Sequence, residues 1–156
     1  MKNHSINKIL YIILIIFLIG FFTYRAFTNI KHSSSIRLPN VVINNKAIKV
    51  EIAETATEQR QGLSGRTDLC ADCGMLFIFP DSQIRKFWMK NMNFPLDIIW
   101  IDENKIVNIS KNLPPEGASP QESYSSQLPV NNVLEVDAGY FERNQFKIGD
   151  EVKYNF

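Results

Sequence analysis

The chain has 156 residues, and its 17 lysine and arginine residues nearly balance 16 aspartate and glutamate residues, for a formal net charge of +1. This balance provides no global field to attract a polyanion, so we expect no nucleic-acid partner. Setting aside an N-terminal targeting stretch leaves about 120 residues, enough for one domain with a modest core.

The first feature along the chain is an apolar segment. Residues 9–22 carry no charge, and two lysines precede them. We predict a short tail over residues 1–8, a single transmembrane anchor or signal segment over 9–27 and a polar tether over 28–39. Residues 40–156 are then expected outside the cytoplasm, held at the cell membrane by the anchor. Because the run is short for a bilayer, signal cleavage is the alternative and would give a secreted or periplasmic protein.

The remaining residues predict a mainly β (α+β) fold, a compact antiparallel β-barrel or sandwich-like domain with two short helices. Short runs rich in β-branched and aromatic residues indicate strands. The predicted strands are 47–53, 74–80, 96–102, 105–110 and 131–138, and "KIGDEVKY" leads into a last strand. Turn residues at 102–104 predict that the third and fourth of these strands form a hairpin.

Two helices are expected to interrupt the strands. The first begins at Thr55, because "TATE" places a capping threonine three residues before Glu58. It ends by Gly62, since glycine can adopt the left-handed conformation that closes a helix. The second is predicted over residues 137–144 and is too short to be stable without packing on the sheet.

"CADC" contains the only cysteines, Cys70 and Cys73. Outside the cytoplasm a small loop disulfide is expected, with a reduced pair or a thiol-exchange site as alternatives. A zinc site needs four ligands, and residues 40–156 contain no histidine, so we predict no metal and no cofactor. The same absence excludes Ser-His-Asp and Cys-His hydrolase arrangements within these residues.

The order of the sequence blocks resembles the uncharacterised prokaryotic family catalogued as domain of unknown function 192. The resemblance covers about residues 50–152, through "AETATEQRQGLSGR", "GMLFIFP", "FWMKNMNFPLDIIWID", "NLPP", "SY", "VLEVDAGYFERN" and "GDEV". It implies a compact β-rich domain, often preceded by an export or anchor segment, without an established activity. The chain departs from the family pattern at Ser64, Met92 and Gln145, where methionine, threonine and a helix-ending glycine are usual.

If the resemblance carries function, the matching positions are Arg60, Trp88, Met89, Lys90, Asn91, Pro95 and Asp97, with Glu135 as an outlier. Strand alternation puts Lys86, Trp88 and Lys90 on the same face of one strand. After the turn it puts Asp97, Ile99 and Ile101 together on one face of the next strand. A turn between residues 93 and 94 would place Lys90 opposite Asp97.

Two interpretations of this segment follow from the predicted pairing. The candidate ligand-binding residues are Arg60, Trp88, Lys90, Asn91 and Asp97, as a polar cluster at the bottom of an aromatic cleft for a small polar or carbohydrate-like ligand. The alternative is a structural hairpin whose ion pair and proline determine its register.

Two further features are the position of Glu135 and a long loop. Glu135 alternates with Val133 and Asp137, which favours a solvated strand face. The loop over residues 112–128 is either a lid over the cleft or a flexible surface excursion.

Three functions remain open from the sequence. The leading hypothesis is a membrane-anchored binding or accessory module of the cell envelope, contacting a glycan or a protein partner. The alternatives are an envelope enzyme using Asp97 with Lys90 or Arg60 as an acid–base pair, and a purely structural or assembly role. No catalytic residue is assigned.

Overall fold

The computed structural model describes residues 14–21 and 39–156. The chain divides into two units, residues 1–36 and 37–156. Within the first unit, residues 14–21 are helical (α1) with exposed side chains. Over the two described ranges, no helix combines the length and apolarity that crossing a membrane requires. The rest of the predicted anchor, the predicted tail and nearly all of the tether lie outside the described residues.

The second unit is mainly β, as predicted, and its seven strands form one sheet. The strands are β1 (Asn40–Ile43), β2 (Lys46–Ala53), β3 (Cys73–Phe87), β4 (Leu96–Asp102), β5 (Lys105–Leu113), β6 (Tyr124–Asp137) and β7 (Val152–Asn155). Their order across the sheet is β5-β4-β6-β3-β2-β1-β7. Only the β2–β3 pair is parallel, and every other neighbouring pair is antiparallel.

The sheet curls into a half-barrel, so its edge strands approach each other at one end. The Ile106 N–H donates to the Asp150 carbonyl at 3.1 Å, and the Gly149 N–H donates to the Ile106 carbonyl at 2.7 Å. A single antiparallel bridge joins Lys105 to Glu151. The two edges therefore meet only where β5 and β7 begin.

Apolar side chains cover both faces of the central strands. The Ile99 cluster contains Ile99, Ile101, Leu76, Leu134 and residues of β1, β2 and β7. The Trp100 cluster, built on the alternate positions, contains Ile98, Trp100, Met75, Phe77 and Val133. Because β4 lies between two strands and contributes to both clusters, six of its seven residues are buried, which explains its nearly continuous apolar sequence.

The two domain helices are α2 (Ala56–Gln61) and α3 (Tyr140–Arg143). The predicted capping box of α2 is confirmed: the Glu58 N–H donates to Thr55 Oγ1 at 3.2 Å, and the Thr55 N–H donates to Glu58 Oε2 at 2.8 Å. The second helix is shorter than predicted because β6 continues through Asp137 before the chain turns at Gly139.

Strand pairing confirms one predicted hairpin and contradicts another. β4 and β5 pair around the predicted turn, with Asp102 opposite Lys105. Residues 88–95, however, form a loop rather than the arms of a hairpin, because β6 lies between β3 and β4. Asp97 therefore aligns with Val136 of β6 and not with Lys90, so the predicted Lys90–Asp97 ladder pair is wrong.

Candidate functional site

A cleft of about 580 Å³ opens beside the second half of β3. It exists because β2 pairs with β3 only as far as Ala53 and Phe77, after which the chain leaves the sheet to form α2 while β3 continues to Phe87. Residues 59–64 and 84–88 form its two sides, with further contributions from Ala56, Phe77, Phe79, Met92 and Glu135.

The α2 side of the cleft is held in place by a side chain of the helix. Gln59 Nε2 donates to the carbonyl of Ile78 at 2.9 Å, the first β3 residue beyond the last β2 partner. Gly62 follows the helix with φ +47°, and a Cβ there would lie 3.3 Å from Phe77 Cζ. A side chain at this position would therefore crowd the aromatic floor.

Aromatic rings form much of the other side and the floor. Phe87 packs edge-to-face against Phe77 at 4.8 Å and against Trp100 at 5.4 Å between ring centroids. These contacts tie the cleft to the Trp100 cluster. Trp88 differs because 51% of its surface is exposed. Its ring is therefore available to stack against a ligand.

The floor carries one buried carboxyl group, that of Glu135. Its residue is only 5% exposed, and in the ladder it stands between Met75 of β3 and Ile98 of β4. Within residues 39–156 its side chain forms no hydrogen bond or salt bridge that would compensate for burial. Burial raises the pKa of Glu135 to about 8. The carboxyl is therefore mainly protonated at neutral pH and can donate a hydrogen bond.

Basic side chains line the outer part of the cleft. The Arg85 guanidinium lies 4.1 Å from the centre of the Phe79 ring and pairs with Asp81. Arg60 and Lys86 are exposed, and neither forms a salt bridge with a carboxylate of the described residues. Two uncompensated positive charges thus flank a buried neutral acid.

The structure brings together only part of the predicted site. Arg60 and Trp88 line the cleft, whereas Lys90, Asn91 and Asp97 do not. The Lys90 ammonium lies 5.8 Å from the centre of the Trp88 ring, beside the cleft. Asn91 has φ +53° and is held by backbone hydrogen bonds in the 88–95 loop. Ligand binding by any of these five residues stays a prediction.

Asp97 is fully buried on the opposite face of the sheet from Glu135, among residues of the Ile99 cluster. Its Oδ1 accepts the backbone N–H of Asn112 at 2.9 Å, and its Oδ2 accepts that of Phe141 at 3.1 Å. Backbone donors, rather than Lys90 or Arg60, therefore satisfy both oxygens. This arrangement joins the end of β5 to the start of α3.

The prediction of a solvated face for Glu135 is wrong. Alternation correctly placed Glu135 on the same face as Val133, which belongs to the buried Trp100 cluster. Gly62 and Leu63, which follow α2, pack on that face, and alternation does not say which face a distant segment covers. Two signals pointed to this residue: its place among the positions that match the family, and a carboxylate between a leucine and a valine in "NNVLEVDA".

The cysteine segment and the predicted lid lie elsewhere. Cys70 and Cys73 form a disulfide with 5.3 Å between their Cα atoms, and Cys73 is the first residue of β3. The predicted 112–128 loop is reduced to residues 114–123, because β5 reaches Leu113 and β6 begins at Tyr124. Its Glu116 N–H donates to the Met89 carbonyl at 3.0 Å, so it packs on the 88–95 loop. None of its residues lines the cleft.

Two solved structures are similar to this chain. One, from Sinorhizobium meliloti 1021, is described as a proposed transcription regulator; it has 31% sequence identity and a TM-score of 0.67, over 74% of this chain and 91% of that one. The other, a protein of unknown function from Novosphingobium aromaticivorans DSM 12444, has 31% identity and a TM-score of 0.68, over 73% of this chain and 83% of that one.

The family comparison gives the same result as the sequence resemblance. No curated protein matches the chain. The model of DUF192, a family described as uncharacterized ACR, matches residues 40–154. The matched range contains residues of every strand of the sheet and both sides of the cleft. The chain therefore belongs to the DUF192 family.

Proposed function

We propose that this chain is a binding module whose ligand occupies the cleft between α2 and β3. The observation that carries the proposal is the carboxyl of Glu135, a residue only 5% exposed at the floor of the cleft. Burial alone raises its pKa, with no contribution from a hydrogen bond or a charge of the described residues. Such a group costs free energy when the cleft is empty. A ligand that hydrogen-bonds to it offsets that cost.

The composition of the cleft favours binding over hydrolysis. Glycoside hydrolysis usually requires two carboxyl groups facing the scissile bond. Glu135 is the single carboxyl among the described residues that line the cleft. The alternative acid–base pair of Asp97 with Lys90 or Arg60 lacks support, because both Asp97 oxygens accept backbone N–H groups on the other face of the sheet.

We further propose that the module is tethered to the cell membrane through residues 9–27 and works outside the cytoplasm. The uncharged run over residues 9–22 and the paired Cys70 and Cys73 support this location. Phosphatase and fluorescent-protein fusions after Phe156 test it, with phosphatase activity alone expected. Fluorescence without phosphatase activity would place the domain in the cytoplasm. A net charge of +1 gives no support for DNA binding, so we do not propose for this chain the regulatory role by which the S. meliloti protein is described.

Ligand-observed NMR on the full chain in detergent micelles tests the binding function. The probes are a defined set of small fragments: monosaccharides, capped dipeptides and aromatic amides. We expect bound fragments to be lost with Trp88→Ala and Glu135→Met, and retained with Phe156→Ala. Phe156 is the matched control because it is 69% exposed and lies outside the cleft. Fragment binding that is unchanged in both Trp88→Ala and Glu135→Met would refute the proposal.

A further inference from the structure

The second half of β3 presents an unpaired edge to the cleft. β3 pairs with β6 as far as Phe87, whereas its last partner in β2 is opposite Phe77. Among residues 39–156, no strand pairs with residues 78–87 on the β2 side. Gln59 takes the place of a partner at one point only, by donating to the carbonyl of Ile78. Farther along this edge, Arg85 Nη2 donates to the Asp81 carbonyl at 2.8 Å, and the Arg85 N–H donates to Ser126 Oγ of β6 at 3.0 Å. Residues 83–87 have no strand partner on the β2 side among the described residues, so that part of the edge is open to a new strand.

The lining of the cleft shows that it follows this edge. Successive side chains of a strand point to opposite faces, so a cleft on one face contacts alternate residues. Here the four consecutive strand residues 84–87 all line the cleft. This pattern indicates a groove running along the strand edge. Its floor extends under the sheet to Phe77 and Glu135.

The charges of the groove select the kind of strand that would fit. Arg60 on one side and Lys86 on the other are exposed and form no salt bridge with a described carboxylate. Exposed apolar surface lies between them, since Ile84 is 57% and Trp88 is 51% exposed. The groove therefore complements a segment with carboxylates toward the rim and apolar or hydroxyl side chains toward the floor.

We propose that the cleft binds an extended, acidic peptide segment of a partner protein, which adds as a strand to the free edge of β3. This inference rests on the proposed binding function of the cleft. Main-chain hydrogen bonds supply affinity in this mode, and alternate side chains supply specificity. One inward side chain of the peptide donates or accepts a hydrogen bond at Glu135. The outward carboxylates meet Arg60 and Lys86.

The competing explanation is that the basic residues only protect the edge. Lysine near an exposed edge prevents unwanted strand pairing in many sheets. The register shift between Ile78 and Gln83 distorts the first part of this edge in the same sense. Under this explanation an acidic peptide would not bind along the edge of β3. Measuring peptide binding therefore distinguishes edge protection from strand addition.

The test uses an acetylated and amidated octapeptide with the repeat Val-Glu-Thr-Glu, added to the full chain in detergent micelles. Two further versions carry N-methyl groups, one on the valine and threonine nitrogens and the other on the glutamate nitrogens. An added strand points alternate N–H groups toward its neighbour. We expect only one of the two methylated peptides to lose affinity, by more than tenfold, with slowed amide exchange in residues 83–87 on binding of the parent peptide.

Charge variants supply a second measurement, in which the backbone of the peptide is unchanged. Arg60→Glu and Lys86→Glu are each expected to lower the affinity for the parent peptide by about fivefold or more at low salt. Lys147 is exposed and lies outside the cleft, so Lys147→Glu should change this affinity by less than about twofold. Equal binding of both methylated peptides, or no peptide binding, would overturn the inference. So would binding of tetra-N-acetylchitotetraose in place of the peptide. Small-fragment binding lost with Trp88→Ala would in those cases leave the proposed binding function standing.

Discussion

Replacing Glu135 by glutamine is expected to remove a specific pH dependence of stability. Because burial raises the pKa of this carboxyl to about 8, the folded chain holds a proton that the unfolded chain releases near the ordinary value of 4.5. Between these values the native state binds more protons than the unfolded state, so the free energy of unfolding falls as pH rises. The penalty is absent below pH 4.5 and complete above pH 8.

The magnitude follows from the difference between the two pKa values. At about 1.4 kcal/mol per pKa unit, the whole window corresponds to about 5 kcal/mol. Between pH 5 and pH 8 we expect the wild-type domain to lose about 3.5 kcal/mol relative to Glu135→Gln. For a domain of this size, that loss lowers Tm by about 10 °C. The apolar variant Glu135→Met should be more stable than wild type at pH 8 by a similar amount.

Few other groups titrate in this window. Residues 40–156 contain no histidine. Carboxyls such as Glu51 and Glu58 have pKa values lowered by hydrogen bonds to Arg66 and Thr55, respectively. Their stabilising contribution is already present above the ordinary value and is lost only as pH falls through the lowered one. The difference between wild type and variant therefore isolates Glu135.

Urea unfolding of residues 37–156 at pH 5, 6, 7 and 8 is the assay. Both apolar clusters are drawn from this range, so the fragment keeps the described core. The fully buried Trp100 reports unfolding by fluorescence. Glu122→Gln, at an exposed glutamate, is the control and should keep the wild-type slope. If the free energy of unfolding changes equally with pH in wild type and Glu135→Gln, the Glu135 carboxyl is solvated or paired, and the reasoning fails.

Three further substitutions test the contacts that shape the domain. Asp97→Asn should lower the free energy of unfolding by about 2–3 kcal/mol, because the new amide N–H faces a backbone N–H donor. The surface variant Asp137→Asn should lower it by less than about 1 kcal/mol. Urea unfolding measures both values. Gly62→Ala should lower Tm more than Gly65→Ala does. Both glycines have positive φ, but only Gly62 lies against Phe77. Equal decreases in Tm would rule out a steric contribution from Phe77. Thr55→Ala should cost about 1 kcal/mol by removing the capping box, and an unchanged melting curve would show that the cap does not contribute.

Local features of the sequence were sufficient for several parts of the fold. The capping box at Thr55 and the β4–β5 hairpin depend on residues a few positions apart, so their patterns determine them. Strand alternation likewise placed Asp97 on one face with Ile99 and Ile101. Family membership followed from blocks in the correct order, and the match over residues 40–154 confirms it.

The candidate site depended on contacts between distant segments. Alternation assigns side chains to faces, but only the sheet order decides which strands are neighbours. Because β6 lies between β3 and β4, Asp97 does not pair with Lys90. It accepts the backbone N–H groups of Asn112 and Phe141 instead. The segment that follows α2, about 70 residues earlier in the chain, packs beside Glu135 and contributes to its burial. The sequence determined the local elements and the faces of the strands, whereas tertiary packing alone decided which carboxyl is satisfied and which is left at the floor of a cleft.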